Sequence, residues 1–242
     1  MEYRKMEADI HTHSIASGHY TFDTITDLAK AASKNNLKLL GISEHGPALP
    51  HSCGVNYFRN LAFAPSTRLG VSILYGAEVN ILDTQGSLDL SNELMSGLDY
   101  CIAGMHLPCI KPGTKTENTK AYAAAMKNPY VKLIAHPDDV KYPVDYRFLL
   151  EEAMKNHVFL EINNASLSPD GYRGEQEAVR ENDFRILELC RECRYPVVLS
   201  SDSHGHENVG NFKYALQLIR DAGFPEELLL NRSAANVYKE IC

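Results

Sequence analysis

Two histidines separated by one residue, His11 and His13, form the pair whose types and spacing point most directly to metal chemistry. They end the stretch Asp9-Ile10-His11-Thr12-His13, which closes a short apolar-leaning segment. In an extended strand, residues two apart point to the same side and lie roughly 6.5 Å apart, so both imidazoles could ligate one cation. Two histidines on a solvated face would give the same letters, so the prediction needs further ligands elsewhere in the chain.

Such ligand-type residues recur after apolar runs that have the length of a strand rather than a helix. Each run ends in a histidine or a carboxylate, which a random scatter of surface residues would not produce. The residues are His45 after 39–43, Glu78 after 71–77, His106 after 100–105, His136 after 131–135, and Asp202 and His204 after 196–201.

The elements that must position these residues alternate between strand and helix. Helical spacing of apolar residues predicts helices over 22–36, 142–156 and 175–194, among others. Seven strands are predicted, at 5–10, 38–43, 71–80, 99–105, 131–135, 158–163 and 196–201. Alternation with near-continuous apolar strands indicates an α/β fold with a parallel sheet and crossover helices. Loops after the C-terminal ends of parallel strands share one face, so the ligand-type residues should converge there.

Taken together, these motifs resemble the PHP (polymerase and histidinol phosphatase) family. The resemblance rests on His11-Thr12-His13, His19, Ser43-Glu44-His45, Gly76-Ala77-Glu78, Met105-His106, His136-Pro137 and Ser201-Asp202-Ser203-His204. The stretches 11–19, 44–47 and 161–164 look most like its YcdX-type phosphatase branch. The resemblance implies a distorted seven-stranded (β/α)7 TIM-like barrel with up to three metals at the C-terminal mouth.

Carried over residue by residue, the resemblance implies three metal positions. His11 and His13, with Glu78 bridging and Asp202 nearby, would hold one metal; Glu78, His106 and His136 would hold the second; His19, His45 and His204 would hold the third. It also makes Glu78, beside the attacking hydroxide, and Asp202 the catalytic residues. The imidazole-rich ligand set fits zinc, with manganese or iron as alternatives. Glu44 and Asp9 are expected beside the site, outside the ligand set.

Length and charge narrow the functional class. The 242 residues fit a single PHP metallohydrolase domain over 1–242, and the charged start of the chain predicts neither a signal peptide nor a membrane span. We therefore expect a cytoplasmic protein, and a homo-oligomer stays an open alternative. The net charge of −7 argues against binding nucleic acid. Three divalent ions would add roughly +6 at the mouth, which suits a small phosphorylated substrate.

The expected reaction is metal-dependent hydrolysis of a phosphomonoester. Two alternatives stay open: a phosphodiesterase or nuclease activity, as in family modules attached to polymerases, and a non-catalytic metal-binding module. Predicted substrate contacts are Arg59, Arg173 and Asn163, because arginine is a planar phosphate clamp and Asn163 ends a strand. For the lysines of the mouth loops, Lys111, Lys115 and Lys141, exposure to solvent is the favoured interpretation.

Overall fold

The structure, a computed structural model, describes residues 5–171 and 175–242. Its strands, in chain order, are β1 Ala8–Asp9, β2 Thr12–His13, β3 Leu39–His45, β4 Thr67–Arg68, β5 Val71–Asn80, β6 Tyr100–Gly104, β7 Val131–Ile134, β8 Phe159–Asn163, β9 Val197–Ser200 and β10 Ser203–His204. Seven of them run parallel in the order β1-β3-β5-β6-β7-β8-β9, while the short β4 pairs antiparallel to β5. The predicted seven-stranded α/β barrel is confirmed.

The first predicted strand, 5–10, is shorter in the structure, and after it the chain changes its pairing partner. Ala8 and Asp9 pair with β3, and Thr12 and His13 then pair with β10. This second pairing joins the first and last strand segments across the mouth of the barrel. Below it, the side-chain amide of Asn231 donates to Ala8 O and Leu199 O, at 2.8 Å each, and so links β1 to β9.

Eight helices connect and cover the strands in the described parts of the chain. They are α1 Ile25–Lys34, α2 Val55–Asn60, α3 Asn92–Met95, α4 Lys115–Ala125, α5 Tyr146–Asn156, α6 Gln176–Cys193, α7 Lys213–Asp221 and α8 Ala234–Ile241. The three helices predicted above are present as α1, α5 and α6. α1 begins later than predicted because Thr24 caps it, accepting from Asp27 N while the Asp27 carboxylate accepts from Thr24 N. No helix of residues 5–171 and 175–242 is long and apolar enough to cross a membrane.

Apolar side chains fill two regions, one between the strands and the helices and one inside the barrel. The interior is occupied by Tyr100, whose hydroxyl donates to Ile10 O at 2.7 Å. A Cβ at Gly41 would lie 2.3 Å from the Tyr100 hydroxyl oxygen, and a Cβ at Gly76 would lie 2.7 Å from the Tyr100 ring. Both positions therefore need glycine. Residues of α8 pack against the strand starts and close the end of the barrel opposite the mouth. The side chains at the strand ends therefore stand on a rigid base.

Candidate metal centre

Glu78, at the end of β5, lies at the centre of a cluster of imidazoles at the mouth of the barrel. Its Oε2 lies 2.8 Å from His45 Nδ1, 3.3 Å from His11 Nε2 and 3.4 Å from His13 Nε2. Its Oε1 lies 2.7 Å from His136 Nε2 and 3.2 Å from His106 Nε2. The Glu78 side chain is fully buried. One carboxylate thus faces five histidines supplied by four segments of the chain, with a different group of histidines at each oxygen.

Asp202 is a second carboxylate beside the His11 and His13 pair. Its Oδ1 is 3.5 Å from His11 Nε2 and 3.4 Å from His13 Nε2. Asp202 and His136 both have positive φ values, 49° and 35°, in the left-handed region that residues other than glycine rarely adopt. The turns after β7 and β9 therefore hold these two side chains in a strained backbone conformation, as residues of functional sites often are.

The remaining two predicted ligands, His19 and His204, lie at the outer edge of the cluster. Their Nε2 atoms are 3.1 Å apart, and the His204 ring stacks on that of His13 with centroids 4.4 Å apart. The structure thus brings all nine predicted metal ligands together. Three groups have ligand atoms within 4.8 Å of one another: His11, His13 and Asp202; His45, Glu78 and His106; and His13, His45 and His204. Because His13 and His45 each belong to two groups, the cluster is continuous.

Three imidazoles are oriented by hydrogen bonds on the side away from the cluster. His11 Nδ1 lies 2.6 Å from Glu161 Oε1, and His13 Nδ1 lies 2.9 Å from Ser17 Oγ. His106 Nδ1 lies 2.7 Å from Asn80 Oδ1. Within residues 5–171 and 175–242, the Nε2 atoms of these three histidines are buried and have no hydrogen-bond partner. An unsatisfied buried polar atom costs about 1–3 kcal/mol. Bound cations would satisfy these nitrogens, so the donor set fits a metal centre.

Glu161, like Ser17 and Asn80, is a residue of the site for which no role was predicted from the sequence. Its side chain is fully buried on β8 and accepts hydrogen bonds from His136 N at 2.6 Å and Asn163 Nδ2 at 2.9 Å, besides its contact with His11. Ser200 Oγ also donates to it. The signal was present in the sequence, because Glu161 is a charged residue within an apolar strand and shares a strand face with Asn163.

Two other buried carboxylates lie outside the ligand groups, as expected. Glu44 accepts from Ser14 N at 3.1 Å and is also hydrogen-bonded by the Ser14 and Ser17 hydroxyls. Asp9 accepts from Ser201 N at 3.2 Å and Gly210 N at 2.8 Å. Burial raises the pKa of both carboxyls, that of Asp9 to about 6. The two hydrogen bonds that Asp9 accepts hold the chain after β9 in position.

Electrostatics at the centre favour the metal-binding protonation states of His13 and Glu78 but favour a protonated His11. Burial lowers the pKa of His13 well below its usual range, and the neighbouring His45 lowers it further. For Glu78, burial opposes ionisation, but His45 and His11 outweigh it and hold its pKa well below the usual range. Burial also favours neutral His11, yet Glu161 and the other carboxylates raise its pKa well above the usual value. A cation bound by His11 would replace that proton.

The predicted substrate contacts are placed less favourably than the ligands. Asn163 is buried; its amide donates to Glu161 and to Asp202 Oδ2, at 3.1 Å, and its Oδ1 accepts from Ser166 N. Arg59 is exposed on α2, where its Nη1 donates to Asn56 Oδ1 at 3.0 Å. Arg173 lies outside the described residues. These substrate contacts stay predictions.

A cleft of about 460 Å³ opens beside the metal ligands. Its walls come from four loops of the mouth and are largely apolar. The lining residues are His19, Tyr20, His45, Leu49, Pro50, His51, Met105, His106, Leu107, Pro108, Asp139, Lys141 and Tyr142. The volume is that of a site for a small molecule.

Comparison with known proteins assigns the chain to a family. The model of the PHP domain matches residues 9–165, which include all but two of the cluster residues. This chain belongs to the PHP family. A PHP relative from Clostridium novyi, named "Probable phosphatase", is 38% identical over 227 residues, 94% of this chain and 91% of the relative. Another of the same name from Caldanaerobacter subterraneus is 40% identical over 234 residues, 96% of this chain and 90% of the relative.

Solved structures with the same fold share much less sequence. The histidinol phosphate phosphatase of Lactococcus lactis, crystallised with zinc, L-histidinol and phosphate, superposes with a TM-score of 0.63 at 18% identity, covering 91% of this chain and 95% of that one. A chain from the metal-dependent tyrosine phosphatases YwqE of Bacillus subtilis and CpsB of Streptococcus pneumoniae gives 0.62 at 16% identity, covering 97% and 95%. At these identities the likeness establishes the barrel fold alone.

Proposed function

We propose that this PHP protein is a single-domain, metal-dependent phosphatase that hydrolyses small phosphomonoesters at the mouth of its barrel. The observation that carries the proposal is the buried Glu78 carboxylate facing five imidazoles, three of which present unpaired Nε2 atoms among the described residues. The names of the two relatives and the zinc and phosphate bound by the Lactococcus enzyme support the same reaction class.

The residues of the cluster would hold up to three divalent ions, with zinc favoured by the imidazoles and manganese or iron as alternatives. When bound, such ions supply an activated water and neutralise charge on the phosphoryl oxygens. Glu78 is suited to join two ligand groups, because its Oε1 faces His106 and His136 while its Oε2 faces His11 and His13. Asp202 completes the ligand group that contains His11 and His13.

Residues around the ligands keep this arrangement fixed during turnover. The hydrogen bonds that the outer Nδ1–H groups donate to Glu161, Ser17 and Asn80 favour the tautomers whose Nε2 lone pairs point into the cluster. The apolar walls of the cleft limit water around the leaving group, which strengthens charge interactions inside it. Preorganisation of this kind contributes to catalysis because no reorganisation is needed as charge develops.

The reaction type can be tested with metal-loaded protein and a pair of matched substrates. We expect faster hydrolysis of 4-nitrophenyl phosphate than of bis(4-nitrophenyl) phosphate, and no preference for single-stranded DNA. Glu78→Gln should abolish turnover and lower metal content by more than one ion, because it gives up the charged two-oxygen ligand. His206→Gln is the control, since His206 lies on the surface against Asp23, outside the cluster.

Each alternative outcome has a distinct meaning. Preference for the diester or for DNA would replace the proposal with a phosphodiesterase. Stable binding of metal without hydrolysis of any phosphate ester would replace it with a metal-binding module.

A further inference from the structure

The cleft extends from one side of the metal centre only, and its direction indicates where the leaving group of a bound substrate would lie. An inference about the substrate drawn from this cleft rests on the proposed function. Of the ligand-type residues, His19, His45 and His106 line the cleft, whereas His11 and Asp202 do not. A phosphoryl group at the centre would therefore have its leaving group over the loops that follow β3, β6 and β7. The chemistry of those loops should match the body of the substrate.

The loop after β7 contributes a half-buried lysine to the wall of this cleft. Lys141 is the only lysine or arginine among the described lining residues. Within residues 5–171 and 175–242, its ammonium group has no hydrogen bond and no ion pair. Asp139, the carboxylate nearest in sequence, is buried and accepts from the backbone N of Lys141 at 2.9 Å. Asp139 also lines the cleft, so the feature particular to Lys141 is an ammonium group without a partner among the described residues.

Apolar side chains contribute much of the cleft wall around Lys141. Tyr142 is buried beside it with its hydroxyl donating to Ile110 O at 2.8 Å, so its ring faces the cleft without a free polar group. Leu107 and Tyr20 line the rim with 53% and 78% of their surface exposed. Exposed apolar side chains at the edge of a small-molecule cleft indicate contact with an apolar ligand surface.

We infer that Lys141 binds an anionic group on the leaving-group side of the substrate, so that the enzyme selects phosphomonoesters with an apolar body and a second negative charge. The second anion would be a carboxylate or a second phosphate. An ammonium group in a partly desolvated wall favours such a group because the interaction is screened less than on an open surface. Lys141 is thus a specificity-determining residue, and solvent exposure, favoured from sequence, does not describe its surroundings.

The inference can be tested with three aryl phosphates that differ at the para position. Phenyl phosphate has no second charge, 4-carboxyphenyl phosphate adds a carboxylate, and 4-(phosphonomethyl)phenyl phosphate adds a phosphonate that cannot be hydrolysed. For each substrate, kcat/KM of metal-loaded Lys141→Met is divided by that of the unmodified protein, which cancels intrinsic differences in leaving-group reactivity. Lys111→Met is the matched control, because Lys111 is exposed on a mouth loop and does not line the cleft.

We expect Lys141→Met to reduce kcat/KM for at least one doubly charged substrate about tenfold more than for phenyl phosphate, mainly through KM, as removal of a charged hydrogen bond predicts. The substrate with the larger loss identifies the anion. An equal loss for all three substrates would mean that Lys141 contacts the transferred phosphoryl group, and equal ratios near one would mean that it binds nothing; either result overturns the inference. Absence of activity on all three in the unmodified protein would instead refute the proposed function.

Discussion

Replacement of Glu161 by glutamine tests whether the hydrogen bonds behind the metal ligands determine metal affinity. All four groups around this carboxylate act as donors when His11 ligates through Nε2: His11 Nδ1 and Ser200 Oγ at Oε1, and His136 N and Asn163 Nδ2 at Oε2. Glutamine has one oxygen, so its amino group must face two donors in either orientation. The substitution is therefore not conservative at this position.

Each orientation has a definite consequence. If the amino group faces His136 N, a buried backbone donor loses its acceptor, at a cost of about 1–3 kcal/mol. If it faces His11, the serine hydroxyl can rotate, but His11 must move its proton from Nδ1 to Nε2, the atom that points into the cluster. Loss of such an orienting partner reduces metal affinity by about 10–100-fold, or about 1.4–2.8 kcal/mol.

Competition with a chelating dye measures this loss directly, and circular dichroism of the metal-free variant checks that it is folded. Glu44→Gln is the matched control, since Glu44 is also a buried carboxylate. Its hydroxyl donors, Ser14 and Ser17, can reverse direction, and Ser14 N lies 3.1 Å from both carboxylate oxygens, so either orientation of the glutamine leaves it an acceptor. We expect its metal affinity to change less than about threefold. Unchanged affinity and turnover in Glu161→Gln would refute the assigned role of Glu161.

Two further predictions concern stability. Removal of metal by chelation should lower Tm by about 5–10 °C for each site that was kept at a free metal concentration of about 100 times its Kd, because ions that bind only the folded state stabilise it by mass action. Calorimetric scans with and without chelator measure this change, and identical Tm values would count against bound structural cations. Burial lowers the pKa of His204 from 6.5 to about 4, so its neutral form contributes stability that is present above pH 6.5 and is lost as the pH falls toward 4. In metal-free protein, His204→Gln should remove up to about 3 kcal/mol of this pH dependence, measured by urea unfolding at pH 7 and pH 4.5; an unchanged pH profile would contradict the assignment.

The sequence was sufficient for the seven parallel strands of the barrel and for the end of the barrel at which the ligand-type residues lie. The predicted strand 71–80 coincides with β5, Val71–Asn80, because a strand buried on both faces is largely apolar and its length can be read from the sequence. Polar ligands directly after such runs are equally visible, and parallel strands place them on one face. The boundaries of α1 and β1 were less accurate, since a capping box and a change of pairing partner decide them.

What the sequence by itself determined is therefore the set of ligand-type residues and the order of the elements that carry them. Tertiary structure alone decided which atoms meet. His13 and His45 are each shared between two ligand groups, Glu161 orients His11 from 150 residues away, and Lys141 lines the cleft rather than the open surface. The physical reason is that periodicity and strand length are local properties, whereas distances across a barrel depend on strand register, twist and the packing beneath the mouth.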